Sequence, residues 1–326
     1  MVGTATMTGT GGSIQIRIAP HEVLARSFAD EPGTLASLNR LKDLGVLRAL
    51  DSSGKSLASH LIDLLPLKSG AIPGMASGKD LVSQIVADLA NPATICQSTR
   101  TTTCTVASLQ AILARAQAAE YVRLAGQLAR KGRAELVGVR LACGIARGTG
   151  PVRLEDTCLV IHPRDFTSNE ELNPLARAFQ RSFIRLGRRE EGATGLRTGD
   201  LTVEEFGRVH ELVTSNRRVL VEADASVWLQ FVTNRLEEAS RDRVIETLVY
   251  LAPEPGHPAG SALVIERLFQ MPDGTLVAHT LHPASSARRQ VPVADFQPRV
   301  QLLELDAAEV SSSKIYLAQV ARRQHP

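Results

Sequence analysis

Aromatic residues are scarce in this chain: one Trp, three Tyr and eight Phe make up 4% of its 326 residues. The core must therefore rest on Leu, Val, Ile and Ala. Charge of one sign is lacking too, since the formal net charge is only +3, and the short basic clusters Arg185–Arg189, Arg217-Arg218 and Arg288-Arg289 have no interleaved aromatics on which bases would stack. No nucleic-acid partner is expected. No apolar run reaches the length of about 18 residues that a membrane-spanning helix needs. The stretch from Met1 to Ile14 is Gly/Thr-rich and lacks the charged-then-apolar order of a secretory signal. A cytoplasmic protein is expected, or one exported without a cleavable signal peptide. Four cysteines (Cys96, Cys104, Cys143, Cys158) are too few for a disulfide framework in a chain this long, and thiols are expected.

Helical spacing dominates what is present. After a flexible leader at 1–13, residues 14–90 read as a helical N-terminal region. Leu35, Leu38, Leu41, Leu44 and Leu47 recur at near-helical spacing between Glu31 and Leu50, and Leu57, Leu61, Leu64 and Leu65 resume the pattern after Asp51–Gly54. A glycine- and proline-bearing loop at Pro66–Gly78 leads to a helix over Lys79–Leu89. Thr103–Arg130 is the strongest helical segment, as one bent helix or two. Irregular strands are expected over 132–165. Ser168 with Glu171 predicts a capped helix running through Phe183, and Thr202 with Glu205 another over Phe206–Leu212. Ala225–Ala239 is a further helix, with Trp228 in the core. The period then changes: Val244–Leu251, Ala262–Gln270 and Thr275–Leu281 are strand-like, with Pro272-Asp273-Gly274 as a hairpin turn, and Val300–Leu305 and Lys314–Val320 follow. Helices early and antiparallel strands late define an α+β fold.

One segment carries chemistry. The polar loop Gln97-Ser98-Thr99-Arg100-Thr101-Thr102-Thr103 delivers Cys104 to the first turn of the long helix. There the sulfur meets unpaired backbone N–H groups and the positive end of the helix dipole, which favour thiolate. Gln97, a few residues earlier, can donate to an oxyanion forming on a substrate carbonyl. Against this stands the ordinary behaviour of cysteine, which is structural at a helix start more often than it is catalytic.

The run Gln97 to Cys104, then Thr105–Leu109 and Ala119-Glu120-Tyr121-Val122-Arg123-Leu124, resembles a group of bacterial papain-like cysteine peptidases. In that group a glutamine, a short Gly-containing loop and a Thr-Cys step precede a helix ending in a similar Ala-Glu-Tyr stretch. Gly260-Ser261-Ala262-Leu263-Val264-Ile265 looks like the strand that carries the family's histidine, and Val277–Pro283 like the next strand, whose end carries its asparagine. The resemblance implies a papain-like domain at 91–326, with a nucleophile helix at 103–131 and a β-region at 244–320. It also implies a thiol hydrolase of peptide or isopeptide bonds that needs no metal or organic cofactor and takes a peptide or protein as its substrate. Similar proteins serve as secreted effectors or toxins.

The sequence departs from the family in three places. Six residues rather than five separate Gln97 from Cys104, and none is glycine. Ser261 stands where the family has its general-base histidine, and His282, before Pro283, stands where it has the orienting asparagine. A serine does not accept a thiol proton near neutral pH. Three readings stay open: His282 serves as base, His257 folds in from the loop before the strand, or the scaffold is a pseudoenzyme that binds protein without cleaving it. His279 alternates with Leu281 and reads as an ordinary strand residue. Gly54-Lys55-Ser56 has Ala49 where a phosphate loop needs glycine, and Cys143, Cys158 and His162 lack a paired Cys-x-x-Cys, so neither is read as a site.

Overall fold

The computed structural model describes residues 4–7, 14–95, 104–136, 158–166, 172–188, 201, 203–214, 218–240, 246–252, 261–282 and 287–306. Strand β1 (Thr4–Met7) pairs antiparallel with β2 (Ile14–Arg17) as a separate ribbon. Helices α1 (Pro20–Ser27) and α2 (Pro32–Asp43) both open on proline, whose missing N–H is one that a helix start leaves unused. The leucine ladder stops at Gly45, where φ is 73°, and continues only as a 3-10 turn over Val46–Arg48. Ser56 Oγ accepts from Ser59 N–H at 3.2 Å to cap α3 (Leu57–Leu64), and Ser77 Oγ accepts from Asp80 N–H at 3.1 Å to cap α4 (Gly78–Ala90). A Cβ at Gly78 would lie 1.9 Å from Leu64 O, so only glycine lets α4 begin against the end of α3.

The long helical segment is two helices, α5 (Cys104–Ala116) and α6 (Ala118–Lys131), separated at Gln117, whose φ of −137° and ψ of 51° are not helical. A short ladder of β3 (Arg133–Glu135) and β4 (Cys158–Val160) follows. Helix α7 runs Pro174–Arg188 and is capped by Asn173, whose Oδ1 accepts from Ala176 N–H at 2.7 Å. The sequence-predicted cap at Ser168 and Glu171 lies outside the described residues, and the helix starts beyond it. After α8 (Val203–Thr214) and β5 (Arg218–Glu222), Asp224 Oδ1 accepts from the N–H groups of Ser226 and Val227, each at 2.9 Å, to start α9 (Ala225–Ser240).

Strands β6 (Thr247–Leu251), β7 (Ser261–Gln270), β8 (Leu276–His282), β9 (Ala287–Pro292) and β10 (Val300–Asp306), with the short helix α10 (Val293–Phe296) between the last two, complete the described chain. They form with β5 a six-stranded antiparallel sheet in the order β5-β10-β6-β7-β8-β9. Gly274, with φ 88°, and Asp273 Oδ1, which accepts from Thr275 N–H at 2.8 Å, make the β7–β8 turn. The architecture is α+β.

Alternation along the strands divides the core in two. Leu248 and Tyr250 of β6 and Ala262 and Val264 of β7 join the cluster built by α1 to α8, whereas Val249, Leu251, Leu263 and Ile265 join Trp228 and Phe231 of α9. Both faces of the middle strands are covered, which is why β6 is buried at every position and apolar from Leu248 to Leu251. The first cluster extends without interruption from Leu24 to Leu281. Residues of α1 to α4 therefore pack in the same core as the sheet. Deletion of residues 1–90 is expected to leave a fragment with no cooperative thermal transition by near-UV circular dichroism; a detachable segment would leave the transition intact. Leu61→Ala, at a fully buried position, is expected to cost about 3 kcal/mol in urea unfolding.

Candidate active site

Helix α5 is buried on every side from Cys104 to Ala114. A helix in that setting must satisfy its polar side chains internally, and the bonds of buried Ser108 and of part-exposed Arg115, just beyond that stretch, fix its placement. Ser108 Oγ donates to Ala262 O at 3.1 Å, near the start of β7. Seven residues on, Arg115 pairs with Glu266 of β7 and also with Glu246, while Arg288 of β9 reaches Glu266 at 3.1 Å. The helix advances about 10 Å over that span and the strand about 13 Å, so α5 and β7 run side by side in the same direction. Cys104, one turn before Ser108, begins the helix at the end of α5 that lies nearer the start of β7. The strand pair is thus met at its open end, away from the Asp273 turn.

Cys104 is 6% exposed and, among the described residues, belongs to neither hydrophobic cluster. Cys104 and Cys158 carry no disulfide. Ser261 pairs with Leu251, whose side chain lies in the α9 cluster, and cross-strand partners share a face. Ser261 consequently lies on the face of β7 turned away from α5, and Ala262 is the residue that meets the helix. Position 261 thus lacks a base both in residue type and in facing. His282 ends β8, paired with Ala287 at the same sheet end as Ser261; only its backbone is described. Gln97 and His257 lie outside the described residues.

Two other histidines are engaged elsewhere. His279 Nε2 bonds Gln290 Nε2 at 2.9 Å and meets the edge of Phe269 with ring centroids 4.8 Å apart. His210 of α8 is 1% exposed and bonds Glu304 of β10 at 2.7 Å, while Leu248 N–H donates to the second oxygen of Glu304 at 3.2 Å. The sequence analysis did not single out His210, and its partner is 94 residues away, so no local spacing could have signalled it. Among the described residues no three ligating side chains gather to hold a metal, and Cys143 lies outside them. No described helix is long and apolar enough to cross a membrane. An open depression of about 470 Å³, lined in part by Leu236, Arg267, Phe269, His279 and Gln290, sits toward the turn end of β7. Arg267 is six residues, roughly 20 Å of strand, beyond Ser261, so this depression does not belong to the Cys104 site.

No family model, curated protein or solved structure matches the chain.

Ser108 is the hydrogen-bonded link between the Cys104 helix and the start of β7. Ser108→Ala is expected to lower stability by about 1–2 kcal/mol in denaturant unfolding and to raise amide hydrogen exchange in the first turns of α5. Unchanged exchange there would remove the bond from the helix's placement.

Proposed function

We propose that the chain is a papain-like cysteine hydrolase of peptide or isopeptide bonds, with Cys104 as its nucleophile. The observation that supports this most is the parallel run of α5 and β7, with the helix beginning at the end that lies nearer the start of the strand. A thiol at a helix start opposite the open end of an antiparallel strand pair is the frame that papain-like hydrolysis uses. In this reading Cys104 Sγ, its proton passed to a histidine, attacks the substrate carbonyl carbon. The tetrahedral oxyanion takes a hydrogen bond from Gln97, the C–N bond breaks, and the amine leaves with the histidine's proton. Water activated by the same histidine then cleaves the thioester, releasing the acid and restoring the thiol. His282 is the first choice for that histidine because it ends β8 at the same end of the sheet as Ser261, and His257 is the second.

A second reading has its own observation. Ser261 occupies the strand position of the family's base and faces away from α5. A scaffold that lost its base there is a pseudoenzyme that binds a protein partner.

Alkylation by iodoacetamide separates the two. Cys158 is the more exposed of the two described thiols, so exposure alone ranks it above Cys104. The hydrolase reading expects Cys104 to react faster than Cys158, with a rate midpoint well below the ordinary thiol value of roughly 8.5. His282→Ala is expected to move that midpoint up, and His257→Ala to do so only if His257 is the base. Labelling of Cys104 no faster than Cys158 at any pH would leave the binding-module reading.

A further inference from the structure

The helical layer encloses a polar chain that joins residues far apart in sequence. Asp88 of α4 and Gln180 of α7 are each 1% exposed, and Gln110 of α5 and Tyr121 of α6 are fully buried. Gln180 Nε2 donates to Gln110 Oε1 at 3.3 Å, and Gln110 Nε2 donates to Tyr121 Oη at 3.0 Å. Tyr121 Oη donates to Asp88 Oδ2 at 2.6 Å, and Gln84 Nε2, from Asp88's own helix, donates to Oδ1 at 2.8 Å. Every donor points toward the carboxylate.

Among the described residues no cation offsets its charge. The groups acting on Asp88 are Tyr121 of α6 and Gln84 of α4. Helix α5 presents the neutral Gln110, and α2, α3 and the turn Pro92–Thr94, which also pack on α4, add no charged group to that pair. Burial pushes the Asp88 carboxyl up to about 6, against the two donated hydrogen bonds that lower it. Burial first, and then the nearby Asp88 charge, push the Tyr121 phenol up, so it keeps its proton throughout. The folded protein thus holds the Asp88 proton more tightly than the unfolded chain does. Stability from this group is full below the unfolded-state value near 4 and is lost as pH rises through about 6.

Hydrogen-bond direction follows from the ionisation state. A carboxylate only accepts, whereas a protonated carboxyl must also donate. A proton on Oδ2 is donated to Tyr121 Oη, and the phenol proton then needs another acceptor. The neighbour on that side is the Gln110 amide, which presents its NH₂. That amide must rotate to offer Oε1, which turns Nε2 toward Gln180 and obliges Gln180 to rotate as well. The 2.6 Å Oη–Oδ2 contact already has a proton between its oxygens, and this route leaves the Gln84 bond in place.

We propose that Asp88, Tyr121, Gln110 and Gln180 form a hydrogen-bond relay with two polarities, which reverses direction when Asp88 takes up a proton. The relay carries a protonation event in α4 to an amide rotation on α5, the helix that Cys104 begins, and on to α7. It stands whether or not Cys104 is a nucleophile.

Side-chain amide and carboxyl NMR of the full chain between about pH 4 and 8 tests it. The relay predicts that the Gln110 and Gln180 NH₂ resonances move together, with the same midpoint as the Asp88 carboxyl carbon. In Tyr121→Phe the Asp88 carboxyl still titrates while both glutamines stay fixed, and Asp88→Asn abolishes all three movements. Titration of Asp88 accompanied by Gln84 alone would place the proton on Oδ1 and overturn the relay. Absence of any Asp88 titration in this range would overturn it as well. The wild-type titration decides even if Tyr121→Phe fails to fold.

Discussion

A helix without an exposed face has to find partners inside the protein for every polar group it carries, and α5 is under that constraint from Cys104 to Ala114. Its solutions determine much of the architecture. Ser108 spends its hydroxyl on the backbone of β7, Gln110 on Tyr121, and Arg115 on two glutamates contributed by the β-region. The bonds of Ser108 and Arg115 to β7 lie along that strand in the same order as along the helix, which fixes direction and register together. Apolar packing alone would tolerate a slide along the sheet; these polar bonds do not.

The same constraint makes the N-terminal helices part of the structure rather than a cover over it. Tyr121 stacks on Phe179 with ring centroids 4.8 Å apart, while its hydroxyl reaches Asp88. Helices α4, α6 and α7 thereby meet around a single side chain, with the Cys104 helix bonded to it through Gln110. With only 12 aromatic residues in the chain, placing several at this junction concentrates the large buried surfaces where the helices converge. The far face of the sheet is handled separately: α9 lays Trp228 and Phe231 on it.

Much of the fold was legible in the sequence because local chemistry specified it. The leucine spacing before Gly45, its resumption from Leu57, and the Asp273-Gly274 turn act over a few residues, and each element formed. What escaped was one local cap and several partners set at a distance. Asn173, not Ser168, caps the described start of α7, because Pro174 suits a first helical position and Asn173 precedes it. Strands β5 and β9 have few local signals and owe their existence to ladder bonds with β10 and β8. The pairs Asp88–Tyr121 and His210–Glu304 join residues 33 and 94 positions apart, and no periodicity encodes such partners. Of the candidate site, the sequence supplied Cys104 at its helix start and Ser261 at its strand start. The facing of Ser261 came only with the pairing to Leu251.

Whether that sulfur is a reagent or a piece of packing depends on its ionisation in the folded chain. The Cβ carbon shift of Cys104, followed through pH in protein labelled with carbon-13 at cysteine, reports it directly, with Cys104→Ser to assign the signal. The hydrolase account predicts a transition well below the roughly 8.5 of an ordinary thiol, one that moves upward when the partner histidine is replaced. A transition at or above that value, indifferent to His282 and His257, would contradict it.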